Sequence, residues 1–163
     1  MKITLITVGK IKESYFRDAI AEYKKRLSRY GSLNIVEVPD EATPDSASPA
    51  EENEIRQKEG DRILKAVSPL RNPETLVTAL AIEGKSFSSE ELSTLLSRKM
   101  TGGVSHFVFI IGGSLGLSPE VLRSADLLMS FSRMTFPHQL MRVILLEQIY
   151  RGIRIMRNEP YHK

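Results

Sequence analysis

Apolar positions follow two periods that alternate along the chain. Lys2–Val8 (KITLITV) is rich in β-branched residues and stops at Gly9, while Tyr15, Phe16, Ala19, Ile20, Tyr23 and Leu27 recur at helical spacing before Gly31. Leu33–Val38 reads as a second strand, and Pro39–Pro49, with three prolines and scattered acids, as a loop; residues 39–50 are expected to be flexible. Glu51–Val67 carries Ile55, Ile63, Leu64 and Val67 among charges, which predicts a helix with a wet outer face, weakened in the middle by Gly60.

The same alternation continues to the C-terminus. Thr75–Ile82 (TLVTALAI) is too apolar on both sides for a solvated strand, and Ser88 starts a helix running to Met100, with Glu91 three residues on as a capping partner. His106–Ile111 (HFVFII) is a buried strand ending at two glycines, and Ser118-Pro119-Glu120 opens a short helix. Leu127–Phe131 is a fifth strand, and Pro137–Arg157 a long helix whose first half is apolar nearly all round, so it is buried or packed against a partner. Strands joined through helices predict an α/β fold, a parallel-type sheet with helices on both faces, in one domain spanning 1–163. Ligands in such sheets collect beyond the C-terminal ends of the strands.

Composition narrows the chemistry. With 163 residues, 41% of them hydrophobic, the chain has material for one core. Nothing in it reads as a secretory signal or a membrane span, and the absence of cysteine excludes disulfides, thiolate metal sites and a cysteine nucleophile, so a cytoplasmic protein is expected. The net charge of +3 hides an asymmetry: residues 1–39 carry +4, 40–61 carry −6, 62–132 carry +1 and 133–163 carry +4. Basic ends suit a polyanionic partner, although solvated helix faces give the same count.

Three constellations bear on function. Gly112-Gly113-Ser114-Leu115-Gly116, between a buried strand and a helix, lets backbone approach a ligand, and Gly113 is the point where a side chain is expected to fill the ligand's space. It is no dinucleotide fingerprint, since Ile111 stands where the first glycine belongs, and no Walker A pattern occurs. Ser132-Arg133-Met134-Thr135-Phe136-Pro137 sets apolar side chains beside hydroxyls and amides, as a flat uncharged ring requires; a hydrophobic staple on the following helix is the plainer account. Arg142, Glu147, Arg151, Arg154 and Arg157 precede Tyr161-His162-Lys163, a set able to hold phosphates and an exposed base, though Glu147 and Arg151 also stand at the spacing of a local helix pair. The three histidines form no metal signature, no G-x-S-x-G or H-E-x-x-H motif occurs, and His138 and His162 remain candidates for proton transfer.

Taken together, Ile110–Ser118 (IIGGSLGLS), Met134–Val143 (MTFPHQLMRV), Glu147–Arg151 (EQIYR), Pro160–Lys163 (PYHK) and the opening ITLITVGKIKE resemble the bacterial 23S rRNA pseudouridine-N3 methyltransferases of the SPOUT superfamily. The resemblance spans the chain. It implies a C-terminal trefoil knot, which default topology rules would discount, and an obligate homodimer. It further implies S-adenosylmethionine-dependent methylation of pseudouridine 1915 on assembled ribosomes, with cofactor residues at Leu80, Gly113 and Ser132, Arg133, Met134, Thr135, Phe136 and Pro137. Two positions depart from the pattern: Ala81 replaces an acidic residue, and Gly152 stands where alanine is usual.

Transfer from a sulfonium needs alignment rather than a metal. The candidate roles are His162 as base, Tyr161 in positioning the target, Arg142 and Arg151 in holding phosphate or anion, and Glu147 in orienting Arg151. A non-catalytic RNA-binding protein is the alternative reading, and a flavin or nicotinamide oxidoreductase a third that the missing fingerprint opposes.

Overall fold

The computed structural model describes residues 1–163. Five strands, β1 (Lys2–Val8), β2 (Ser32–Val38), β3 (Thr75–Ser86), β4 (His106–Ile111) and β5 (Leu127–Ser130), pair in the order β2-β1-β4-β3-β5 with every pairing parallel. Between them run α1 (Ser14–Leu27), α2 (Pro49–Val67), α3 (Ser89–Thr101) and α4 (Pro119–Ser124), and α5 (His138–Met156) follows β5. No helix is long and apolar enough to cross a membrane.

Alternation of side chains along each strand builds two cores. Ile3, Leu5, Phe107, Phe109 and Met129 meet α1, α3 and α5 on one face, while Ile6, Val8, Val108 and Ile110 meet α2 and α4 on the other. Both faces are covered, which is why these strands read as continuous apolar runs.

α5 lies between α1 and α3, and Leu145 and Leu146 are fully buried within the one chain. Leu140, Val143 and Ile144, elsewhere on its surface, stay only partly buried. Substituting Leu145 would strike the core rather than probe an interface. The large apolar side chains left most open are Met134 (72%), Tyr15 (63%) and Ile82 (51%).

Several boundaries differ from the sequence reading, each for a local reason. α2 begins at Pro49 because Ser48 and Glu51 close a capping box, so the irregular stretch ends at Ser48. Ser88 and Glu91 close the expected box on α3. β3 continues past Ile82 to Ser86 through a bulge, Phe131 falls outside β5, and Pro137 caps α5 instead of opening it. Gly60 is a close-approach position, since a Cβ there would lie 2.4 Å from Ser118 Oγ, at the start of α4.

Gly152 has no such reason. A Cβ on it would sit 3.5 Å from Leu96 Cδ1 and 3.6 Å from Ser93 Cα, ordinary contact distances in a helix interior. Gly152→Ala is expected to stabilise the fold by about 0.5–1 kcal/mol through helix propensity, read as a raised denaturant midpoint at unchanged slope.

Candidate active site

The strands' C-terminal ends converge on a cavity of about 860 Å³. Its first wall is the loop after β4. Gly113 and Gly116 form an isolated bridge closed by Gly116 N–H donating to the Gly113 carbonyl (3.1 Å), and Gly116 has φ 79°. Gly112 must be glycine, because a Cβ would meet the Gly116 carbonyl carbon at 2.8 Å and its oxygen at 2.9 Å. The loop then delivers Ser118, whose hydroxyl caps α4.

Gly113 corrects one expectation. A Cβ built on it points at Glu59 Oε2 (2.8 Å), the end of a flexible side chain, and Val8 Cγ1 (3.2 Å), so it meets the packing beneath the loop and Glu59 would have to shift. Glu59 is 4% exposed; its Oε1 accepts from the Glu41 N–H (3.1 Å), its Oε2 has no partner, and burial pushes its carboxyl up from the ordinary range. Sequence reasoning had put it on a wet helix face.

The second wall is Ser130–His138. Ser132 Oγ accepts from Met134 N–H (2.9 Å), and Ser130 Oγ donates to the Ser132 carbonyl (3.1 Å), which fixes the turn. Of the cofactor residues inferred from resemblance, Leu80, Gly113, Ser132, Met134, Thr135, Phe136 and Pro137 line the cavity, and Arg133 does not. Ala81–Glu83, His138 and Met141 line it as well. Burial lowers the His138 pKa, with the Arg142 charge adding to the effect, so its imidazole is held neutral.

No lysine or arginine lines the cavity. A pyrophosphate or triphosphate ligand would lack a counter-charge there, whereas the lining of apolar side chains with Ser114, Ser130, Ser132 and Thr135 suits an uncharged ligand.

The residues proposed for chemistry gather elsewhere. Arg151 Nε and Nη2 donate to Glu147 Oε1 (3.0 and 2.7 Å), Tyr161 O–H donates to the same oxygen (3.1 Å), and the Arg151 guanidinium lies 4.6 Å from the Tyr161 ring centroid. Arg151 Nη1 sits 3.3 Å from His162 Nδ1, and His162 Nε2 is 2.7 Å from Glu90 Oε1. Since arginine can only donate, the arrangement suits an imidazole whose Nδ1 accepts from Arg151 and whose Nε2–H donates to Glu90. The Glu90 backbone N–H, then Ser88 and His162, hold the Glu90 carboxyl at about 2.

Arg142 is not part of this cluster. It is 1% exposed, paired with Glu37 Oε1 (2.9 Å) and donating to the Val8 and Gly9 carbonyls (both 2.8 Å) at the end of β1. Its Nε has no partner, but burial keeps the guanidinium from solvent, and its contacts tie α5 to β1 and β2. Arg154 is likewise committed, pairing with Glu159 (3.1 Å) and donating to the Pro160 carbonyl (3.0 Å), so it anchors the tail.

Burial first, then the Tyr23 hydroxyl and the Glu147 carboxylate, pushes the Tyr161 phenol up to about 12. A raised acid pKa means the neutral phenol is favoured by folding. The contribution is complete below the ordinary value of 10.0 and is lost as pH rises through about 12. Tyr161→Phe is expected to remove a late-ionising phase from the tyrosinate absorbance titration; loss of amplitude from the ordinary tyrosine phase instead would place Tyr161 in solvent.

A glycine-walled cavity without lysine or arginine stands at the strand ends of a parallel sheet, the place where α/β folds collect their ligands. A family profile described as "Predicted SPOUT methyltransferase" matches residues 1–162, and the chain belongs to that family. Proteins named "Ribosomal RNA large subunit methyltransferase H" from Bifidobacterium adolescentis, Exiguobacterium sibiricum and Clostridium kluyveri are 60%, 56% and 55% identical to it over 163 residues, covering 100% of both chains in each case. A solved structure titled as a probable methylase family protein from Haemophilus influenzae Rd KW20 superposes with a TM-score of 0.54 at 13% identity, over 99% of this chain and 70% of that one, a likeness of fold. The chain is a methyltransferase.

Proposed function

We propose that the chain transfers the methyl group of S-adenosylmethionine to N3 of pseudouridine 1915 in the 23S rRNA of assembled ribosomes, acting in the cytoplasm as a homodimer with a C-terminal trefoil knot. The cavity carries this reading: its Gly112–Gly116 turn and Ser132–Pro137 wall suit an uncharged ring and a sulfur chain. Relatives named for large-subunit rRNA, at up to 60% identity over full length, support the substrate.

Bound there, the donor supplies a methyl group already activated on sulfur. The chain's residues then have to align the acceptor, exclude water and take a proton from an imide that mostly keeps it at neutral pH. In this reading a donor held by the cavity would supply the methyl group to N3, and His162 Nδ1 would take the N3 proton. Arg151 must leave that nitrogen, and Glu90 then faces an imidazolium across Nε2–H. Tyr161 positions the base, and Arg151, oriented by Glu147, stabilises the developing anion.

Geometry favours a shared site. His138 lines the cavity at the start of α5, and Arg151 lies 13 residues further along it, about 20 Å at 1.5 Å per residue. Tyr161 and His162 sit with Arg151. One chain's tail therefore stands far from its own cavity, and a second subunit is the means of bringing a tail to each cavity. Incubating the protein and labelled donor with ribosomes from a strain lacking the modification should label the large-subunit RNA. Absence of label, with donor binding intact, would favour the non-catalytic RNA-binding alternative.

A further inference from the structure

β3 is interrupted beside the cavity. Leu80 and Lys85 both pair with Met129 of β5, so Ala81–Gly84 are extruded from the ladder as a wide bulge. Gly84 pins it: a Cβ there would lie 2.6 Å from Met129 N and 2.7 Å from the Leu128 carbonyl carbon, inside the backbone of the neighbouring strand. The bulge thus has one fixed geometry, and it turns Ala81, Ile82 and Glu83 onto the cavity wall.

Glu83 is the one carboxylate among the residues lining that cavity, and no lysine or arginine is there to neutralise it. It makes none of the chain's ion pairs. The nearest cation in sequence, Lys85, lies over the Phe87 ring, 5.0 Å from its centroid. Resting on the reading of the cavity as a sulfonium-donor site, we propose that the bulge belongs to that site and that the Glu83 carboxylate selects the cationic methyl donor over its neutral thioether product.

The physical basis is a charge difference. Loss of the methyl group turns a sulfonium into an uncharged thioether, so donor and product have nearly the same shape but differ by one positive charge. A wall that is otherwise apolar and hydroxylic reads shape alike for both. An unpaired carboxylate at its rim adds attraction to the donor alone, which keeps the product from occupying the site. Because Glu83 is exposed, solvent and salt screen the effect, and the discrimination should fade as salt rises.

Calorimetric titration of S-adenosylmethionine and of S-adenosylhomocysteine into wild type, Glu83→Gln and Glu83→Asp tests this without turnover. Glu83→Gln is expected to weaken the donor about tenfold at low salt, roughly 1.4 kcal/mol, and to leave product affinity within about a factor of two, with Glu83→Asp recovering part of the loss. Retained product binding itself reports a folded cavity. If donor and product weaken together, Glu83 shapes the wall and selects nothing; if neither changes, the carboxylate is outside the site. Either result overturns the inference and leaves the donor-site reading intact, whereas a wild type that binds neither compound overturns both.

Discussion

Removal of Tyr161–Lys163 is expected to abolish methyl transfer, by at least about a hundredfold in turnover, while donor affinity stays within about a factor of two of the full chain. The cavity is lined by segments between Leu80 and Met141, and none of the last three residues lines it. What the deletion removes is the imidazole on Glu90 and the phenol on Glu147, the groups proposed to take the proton and hold the base. Light scattering and donor titration on the truncated chain separate this outcome from misfolding. Pairing the truncated subunit with a cavity-defective one tests the geometry further: a tail acting on its partner's cavity restores one complete site per mixed dimer, and a tail acting on its own restores none. Full activity of the truncated homodimer would remove Tyr161 and His162 from the mechanism.

The cavity-defective subunit comes from the second large effect. Gly112→Ala is expected to cost at least about tenfold in donor affinity, some 1.4 kcal/mol or more, because its Cβ meets Gly116 backbone at 2.8 Å and the four-residue turn cannot yield without opening. Gly113→Ala should cost less. Its Cβ meets the end of the Glu59 side chain at 2.8 Å, and that side chain can shift. The double variant Gly113→Ala/Glu59→Ala is therefore expected to recover most of the lost affinity. No recovery would return Gly113 to the role first read from the sequence, a residue whose side chain would fill the ligand's space.

The strands and helices were legible because periodicity is a local signal. Short β-rich apolar runs gave the five strands, and Ser88 with Glu91 marked the start of α3. The same signature at Ser48-Pro49-Ala50-Glu51 was present and passed over, because the prolines around it read as loop. The glycines at 60 and 84 were not legible at all, since each is demanded by a backbone or hydroxyl from a distant segment, Ser118 in one case and Leu128–Met129 in the other. Nor does the apolar girth of α5 say what covers it; α1 and α3 bury Leu145, Leu146, Ile149 and Ile153 and leave Leu140, Val143 and Ile144 partly open.

The site divided in the same way. The glycine turn and the Ser132–Pro137 wall could be picked out as segments, and the family resemblance supplied their ligand. Charge misled at Arg142 and Arg154, because an arginine counted from sequence looks free, and only the fold shows the carbonyls and carboxylates that occupy it. Glu59 was hidden by the opposite habit, the presumption that a carboxylate on an amphipathic helix faces water. Glu83 came into view only through the β3 bulge, two residues beyond the Ala81 position where an acidic residue had been expected.

The most direct test of the central claim is the position of the methyl group. Ribosomes lacking the modification are treated with the protein and S-adenosylmethionine, the 23S rRNA is digested to nucleosides and fragments, and the products are mapped by mass spectrometry. One added methyl on the base of pseudouridine 1915, at N3, is the predicted result, absent with the tail-truncated chain. A methyl on another nucleotide, on a ribose hydroxyl, or on no RNA at all would contradict it.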